Sequence, residues 1–301
     1  MPGHARAVDD RESARIHRSY NQIGERNMNF EGTQKGNPHR LTIDQHIFPR
    51  ASINRFANTD GLVEVFSGNA KKVLKIKSNN SLFCAKRIWD QKTEVGIGKR
   101  IEDEFQRLSD RIQNGSIGTI GFFEKRIVED FFSLWRSRHQ FKVHGLPDLS
   151  VNGITGDSLT KDQQEILERK HIIFFRDGVM PGRFTAGIQI IRYMDAFRYD
   201  NRHIQWGIVR SVEGEFIVPD CFEEMMIVPV SPTIAVMADH PNATITKREL
   251  EVVNSLAIDR SSHFYFARKL SNCPVTGDSN SPIPAFSRYE DFSRYAAGVI
   301  R

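Results

Sequence analysis

The sequence predicts an α+β fold, with short antiparallel strands in its N- and C-terminal parts and a central group of amphipathic helices. Three observations predict it. β-branched runs flank a Ser-Gly-Asn turn at residues 67–69. Apolar residues then recur every three or four positions from Ile101 to Trp135. Short apolar runs broken by Gly, Pro and Asp return after residue 203. Strands, helices and strands again is the order of an α+β chain rather than of a regular βαβ winding.

Residues 1–40 are dense in Arg, Asp, Asn, Gly and His, and no period of 2 or 3.6 lasts a full turn there. They read as a flexible N-terminal arm. Its charge is nearly balanced, unlike the one-sided basic arms that grip nucleic acid. A helical run, Ala51–Ala57, leads to Gly61. Leu62, Val63, Val65 and Phe66 form a strand, Ser67-Gly68-Asn69 a turn, and Val73–Lys77 a second strand, which together make a hairpin. Ile101, Phe105, Leu108 and Ile112 share one face of a helix ended by Asn114-Gly115. Phe123, Ile127, Phe131 and Trp135 predict the buried stripe of a longer helix, whose end carries Arg136, Arg138 and His139, cations suited to the helix dipole.

Thr160-x-x-Gln163 fits a capping box and opens a third helix. Phe184, Ile188, Ile191 and Met194 define the inward face of a fourth. Strands are expected at Ile204–Arg210, Glu215–Val218, Met225–Val230 and Thr233–Met237. Thr246-x-x-Glu249 caps a helix with Leu250, Val253 and Leu256 inward, and a last strand runs over His263–Arg268. The turn-rich stretch 273–284 reads as a linker to a short terminal helix around Tyr289–Ala297. Residues 41–272 are therefore expected to form a single α+β domain, and 273–301 a linker and short C-terminal helix.

Composition narrows the classes of function. Apolar residues make up 39% of the 301 residues, under the globular norm of about 45–50%, a deficit that the tails account for. With 42 basic and 37 acidic residues the net charge is +5, which tolerates an anionic partner without requiring one. Cys84, Cys221 and Cys273 are odd in number, far apart and without a CxxC pair. Neither a zinc knuckle nor a disulfide framework is indicated, and a reducing cytoplasm is the expected compartment. The N-terminus has no apolar run of a secretory signal, and nowhere do about 18 apolar residues run together, so no membrane span is expected.

Common catalytic signatures are absent: no HExxH, no GxSxG and no complete Walker loop. Gly96-Ile97-Gly98-Lys99 lacks the preceding buried strand and the following Ser/Thr of a phosphate loop, and reads as a flexible helix start. Pro219-Asp220 invites comparison with restriction-type nucleases, which need a later Glu-x-Lys to complete a metal site. Here Glu223 and Glu224 are followed by Met225 and Met226, with no lysine. An Asp just beyond a strand is ordinarily a turn former. His46, with Pro49 and Arg50 close behind, is the side chain best matched to proton transfer, although a lone His before a helix is ordinarily a packing residue. His139/His144 and His171/His203 have no metal-ligand spacing and are expected at the surface or half-buried. Arg192, Asp195 and Tyr199 share a polar helix face near Arg183, Arg198 and Arg202, either solvated or contacting an anion.

Together, His46-Ile47-Phe48-Pro49-Arg50 and Ile53-Asn54-Arg55-Phe56-Ala57 resemble the opening of the bacterial Domain of Unknown Function family 4238, whose pattern runs "HYVPQ…LRxFA". The resemblance extends over about residues 42–270. A β-hairpin follows the opening in the family, as at Leu62–Lys77, and then a helix with an Ile-Glu pair, as at Ile101-Glu102. A strand ending in "TSDNP" corresponds to Ile217-Val218-Pro219-Asp220-Cys221, which keeps Asp220 but not the Thr, Asn or last Pro. Pro229-Val230-Ser231-Pro232 matches a "PLSP" strand, and Asn254 through Ala267-Arg268 a late helix–strand unit. The resemblance implies an intracellular bacterial protein, with some relatives among mobile or phage-defence genes.

Three classes of function fit these residues. The first is a nuclease- or toxin-like effector acting on nucleic acid. In it His46 is general acid/base, Asp220 or Glu102 a carboxylate partner and Asn254 the fourth member of the set, with Arg50, Arg55 and Arg192 binding anionic phosphate. The second is a non-catalytic module binding nucleic acid or a partner protein. The third is a hydrolase of another anionic small molecule. The sequence names no cofactor and no metal.

Overall fold

The computed structural model describes residues 31–156, 158–222 and 225–277. Most of the expected arm, the terminal helix around Tyr289–Ala297, and Glu223 and Glu224 lie outside the described residues. Those described form an α+β fold of six α-helices and twelve strands. The chain runs through β1 (Asp44–His46), α1 (Arg50–Asn54), β2 (Leu62–Ser67), β3 (Lys72–Lys77) and β4 (Cys84–Lys86), and then α2 (Lys99–Gln113) and α3 (Phe122–His144). There follow β5 (Leu149–Ser150), α4 (Lys161–Arg169), β6 (Val179–Met180), α5 (Ala186–Asp200), β7 (Trp206–Ser211) and β8 (Val218–Pro219). Last come β9 (Ile227–Ser231), β10 (Ile234–Ala238), β11 (Ala243–Ile245), α6 (Lys247–Asp259) and β12 (Phe264–Ala267).

The strands form two four-stranded sheets and two small pairs. One sheet has the order β3-β2-β12-β8, so a strand from the end of the domain pairs with the N-terminal hairpin, Phe264 opposite Ser67 and Ala267 opposite Glu64. The other has the order β11-β7-β10-β9. The expectation of antiparallel pairing holds except at β11, which runs parallel to β7. The connection from β10 brings β11 back along the far side of β7, and no hairpin turn could do that.

Helix α3 stands at the centre, and one continuous apolar core joins it to both sheets. Phe131 stacks on Phe105 of α2 at 3.7 Å between ring centroids, and Phe132 meets Trp206 of β7 at 6.2 Å. Phe48 bridges α3 and the first sheet, contacting Phe131, Trp135 and Phe266. The expected stripe is corrected at one end. Phe131 and Trp135 are buried and Ile127 partly so, but Phe123 is 76% exposed. Phe122 and Phe123 occupy the first turn of α3, beyond the core, and pack edge-on against each other. Farther along, the helix is enclosed on nearly every side, and it buries Glu129, Asp130, Arg138 and His139 as well as its apolar residues. A four-residue apolar spacing cannot signal that, because it marks only one of the buried faces.

Helix α5 departs from expectation in the same way. Ile188 is 70% exposed and Ile191 is exposed too, whereas Ala186, Ile190 and Met194 face the core. Phe184 is buried but belongs to the 3-10 turn Gly182–Thr185 ahead of the helix. Both capping boxes form as expected, Thr160 with Gln163 and Thr246 with Glu249. Gly96 and Gly98 lie in a π-helical turn, Thr93–Gly98, that runs straight into α2. A Cβ at Gly98 would come within 2.5 Å of the Arg138 guanidinium and 3.2 Å of the Thr93 carbonyl, so the glycine leaves room for a packed side chain.

The described end of the N-terminal arm is tied down. The Glu31 carboxylate meets Lys161 of α4 at 2.8 Å, Arg176 at 3.2 Å and Arg183 at 2.5 Å. Burial raises its pKa, but Arg183, Lys161 and Arg176 outweigh this and lower it from 4.5 to about 2. With the folded value depressed, the stability Glu31 adds is full above pH 4.5 and is lost as pH falls towards about 2. Urea unfolding of wild type and Glu31→Gln is therefore expected to show a gap at about pH 6 that narrows at about pH 3. A gap that stays constant or widens on acidification contradicts the assignment.

Candidate functional site

Helix α3 carries Trp135, His139 and Lys142 at i, i+4 and i+7, the spacing of one helix stripe. That stripe faces the end of β8, where the chain leaves the sheet through Pro219 and Asp220. Pro219 still pairs with Tyr265, and the Asp220 amide donates to the Phe264 carbonyl at 3.0 Å. Trp135 Nε1 donates to the Asp220 carbonyl at 2.8 Å, which fixes the helix against this corner.

The Asp220 carboxylate is almost wholly buried. Its Oδ1 accepts from the amides of Ser262 at 3.0 Å and Cys221 at 3.2 Å, and its Oδ2 from the amide of His263 at 2.8 Å. The same Oδ2 lies 3.3 Å from His263 Nδ1 and 3.6 Å from His139 Nε2. Burial acts to raise the Asp220 pKa. The two imidazoles and the backbone amides outweigh it, holding the carboxyl well below the ordinary range and ionised. His139 is buried, whereas the His263 side chain is 42% exposed. The centre is thus a sealed anion that reaches the surface through one imidazole. Asp220 is indeed a turn former, as an Asp at a strand end should be, and it also gathers two histidines.

Lys142 borders the centre. Its Nζ donates to the Leu82 carbonyl at 3.3 Å and lies 5.8 Å from the centroid of the Phe264 ring. Burial pushes its ammonium pKa down, against the pull of the Asp220 charge. Nearby, Cys84 is pushed up to about 11, chiefly by burial, so it is a neutral thiol near pH 7.

The other sequence-derived candidates have separate surroundings. His46 is half-buried in β1, opposite Cys84, and its Nε2 is 2.9 Å from the Ser78 carbonyl. A carbonyl only accepts, so Nε2 carries the proton there. Glu102 pairs with the buried Arg138, whose guanidinium also meets Glu94 and lies over the Trp89 ring. Asn254 is buried in α6 and is used entirely by backbone. It accepts from the Ile217 amide and donates to the carbonyls of Glu215 and Pro274, which docks the start of the expected linker. Arg55 clamps α1 to α2 through Gln106 and Asp110. Arg50 and Arg192 are exposed, and Asp195 beside Arg192 pairs with Arg198.

Two expectations are corrected here. His139 is not at the surface but is 2% exposed and faces Asp220. His263, read only as the first residue of a strand, is the exposed member of the centre. The i, i+4, i+7 placement of Trp135, His139 and Lys142 was a signal in the sequence. His263 carried none, because only the pairing of β8 with β12 brings it to Asp220. The chain matches no family model, no curated protein and no solved structure, so its function is argued from the chemistry of this centre.

Proposed function

We propose that the protein is a hydrolase of nucleic acid, cleaving phosphodiester bonds at the His139–Asp220–His263 centre. The observation that carries this reading is the half-exposed His263 imidazole, oriented by a buried, ionised Asp220 that is itself fastened by three backbone amides. An imidazole held in this way either takes the proton of an attacking water or lends its lone pair to an ion that polarises that water.

The neighbouring surface supports nucleic acid as substrate. The Gly68 amide donates to the His263 carbonyl at 2.8 Å, so the tip of the β2–β3 hairpin lies against the centre. Beyond it Lys71, in the turn, and Lys72, Lys75 and Lys77 of the edge strand β3 are exposed, with Lys75 3.6 Å from Glu64. Phe66 and Tyr265, both partly buried, stack on this sheet at 5.1 Å and 14°. Lysines for the phosphate backbone beside an aromatic pair for bases is a combination that suits single strands. His46, Glu102 and Asn254 belong to the frame in this reading.

End-labelled single-stranded RNA and DNA, incubated with the full chain, should yield discrete fragments. His263→Ala should lower the cleavage rate by about a hundredfold or more while the melting temperature stays near wild type. Joint replacement of Lys71, Lys72, Lys75 and Lys77 by Ala should weaken binding and flatten its salt dependence. Binding without cleavage, equal in wild type and His263→Ala, would favour the non-catalytic module instead.

A further inference from the structure

We propose that His139 Nε2, Asp220 Oδ2 and His263 Nδ1 together hold one first-row transition-metal dication, zinc foremost, and that water takes the remaining position. The proposal rests on the reading of this centre as the reacting one and names the agent that activates the water.

The three ligand atoms lie within 4.8 Å of one another. Zinc bonds imidazole nitrogen at about 2.0–2.1 Å and carboxylate oxygen at about 2.0–2.2 Å, so neighbouring ligand atoms around a tetrahedral ion stand roughly 3.3–3.5 Å apart. Oδ2 is 3.3 Å from one imidazole nitrogen and 3.6 Å from the other. The shorter of these contacts is within hydrogen-bond reach, so the same spacing serves a hydrogen bond when no ion is bound and an ion when one is. Moreover, Oδ2 already accepts the His263 amide at 2.8 Å. A shared cation would take the place of the two imidazole contacts to Oδ2 and leave the amide bond in place.

The supporting shell suits a ligand. Oδ1 is fixed by Ser262 and Cys221, so the carboxylate cannot rotate away, and Trp135 anchors the same residue through its carbonyl. Such outer contacts orient metal ligands and raise affinity. Two imidazoles and one carboxylate form a borderline donor set that prefers zinc, iron or cobalt over magnesium or calcium. His139 and Asp220 are buried and His263 is partly exposed, so the cluster borders solvent on the His263 side, where a hydrolytic site needs its open position.

The experiment uses the untagged full chain, stripped with EDTA. Zn2+ is titrated in by calorimetry, and Co2+ is used as a visible-absorption probe of coordination. One equivalent should bind, with the intense visible bands of four-coordinate cobalt. His263→Gln, at a half-exposed position, should weaken binding by at least about tenfold, as should His139→Gln if that variant folds. His171→Gln, at an exposed histidine away from the centre, should bind as wild type does. Absence of a stoichiometric site, or affinity unchanged in His263→Gln, would overturn the proposal. Cleavage by the stripped chain without such a site would leave the hydrolase reading standing while this one fails. Zinc bound at these residues with no cleavage of any nucleic acid would do the reverse.

Discussion

Phe131→Ala is expected to lower the unfolding free energy by about 3–5 kcal/mol, the usual loss for a buried Phe together with the cavity left behind. The upper part of that range applies here, because the ring is held from two sides. It stacks on Phe105 at 3.7 Å and takes an edge from Phe48 at 5.9 Å, and Phe48 in turn contacts Trp135 and Phe266. Helices on one side and a sheet on the other cannot both collapse into the gap. Urea unfolding measures the loss, and a value under about 1 kcal/mol would mean that the centre of α3 repacks freely.

Asp220→Ala is expected to cost a similar amount, about 3–5 kcal/mol, for a different reason. It leaves the amides of Cys221, Ser262 and His263 without their acceptor, and removes the anion between two imidazoles. Asp220→Asn should recover little of this, since one end of the carboxamide is a donor and every neighbour on that side donates as well. The same urea series separates the cases. Near-wild-type stability of Asp220→Asn would show that the carboxylate charge is not what holds β8, β12 and α3 at this corner. Cleavage is better tested at His263, where the fold is less at stake.

Much of the fold was legible in the residues. The Ser67-Gly68-Asn69 turn with β-branched flanks gave the β2–β3 hairpin, and both capping boxes marked true helix starts. The Ile101–Ile112 spacing marked the buried face of α2, because that helix lies on the core with one side only. α3 defeated the same logic: its middle turns are buried on nearly every side, and their polar residues are enclosed by partners from other elements. The site was legible in part. Asp220 stood out beside Pro219, but its histidines come from α3 and from the residue ahead of β12, 81 residues earlier and 43 later than Asp220 by position in the chain. Their meeting depends on strand pairing, for which local pattern holds no information. His46 stood out as a group suited to proton transfer and Asn254 through the family resemblance, and each is answered by backbone groups.

The placement of β12 between β2 and β8 has a consequence for the protein's biosynthesis. Glu64 accepts from the Leu270 amide across 206 residues, and the first sheet is incomplete until its last-made strand slots into the middle of it. Contacts of such long range close slowly and late. On a ribosome, the N-terminal hairpin waits, its edge unpaired, for nearly the whole domain to be translated. His139, Asp220 and His263 are made in that order, so the residue that opens the centre to solvent is also the last to arrive. A polypeptide interrupted anywhere before position 263 has no such centre. Translation itself thus withholds the completed centre from any chain that has not yet reached residue 263.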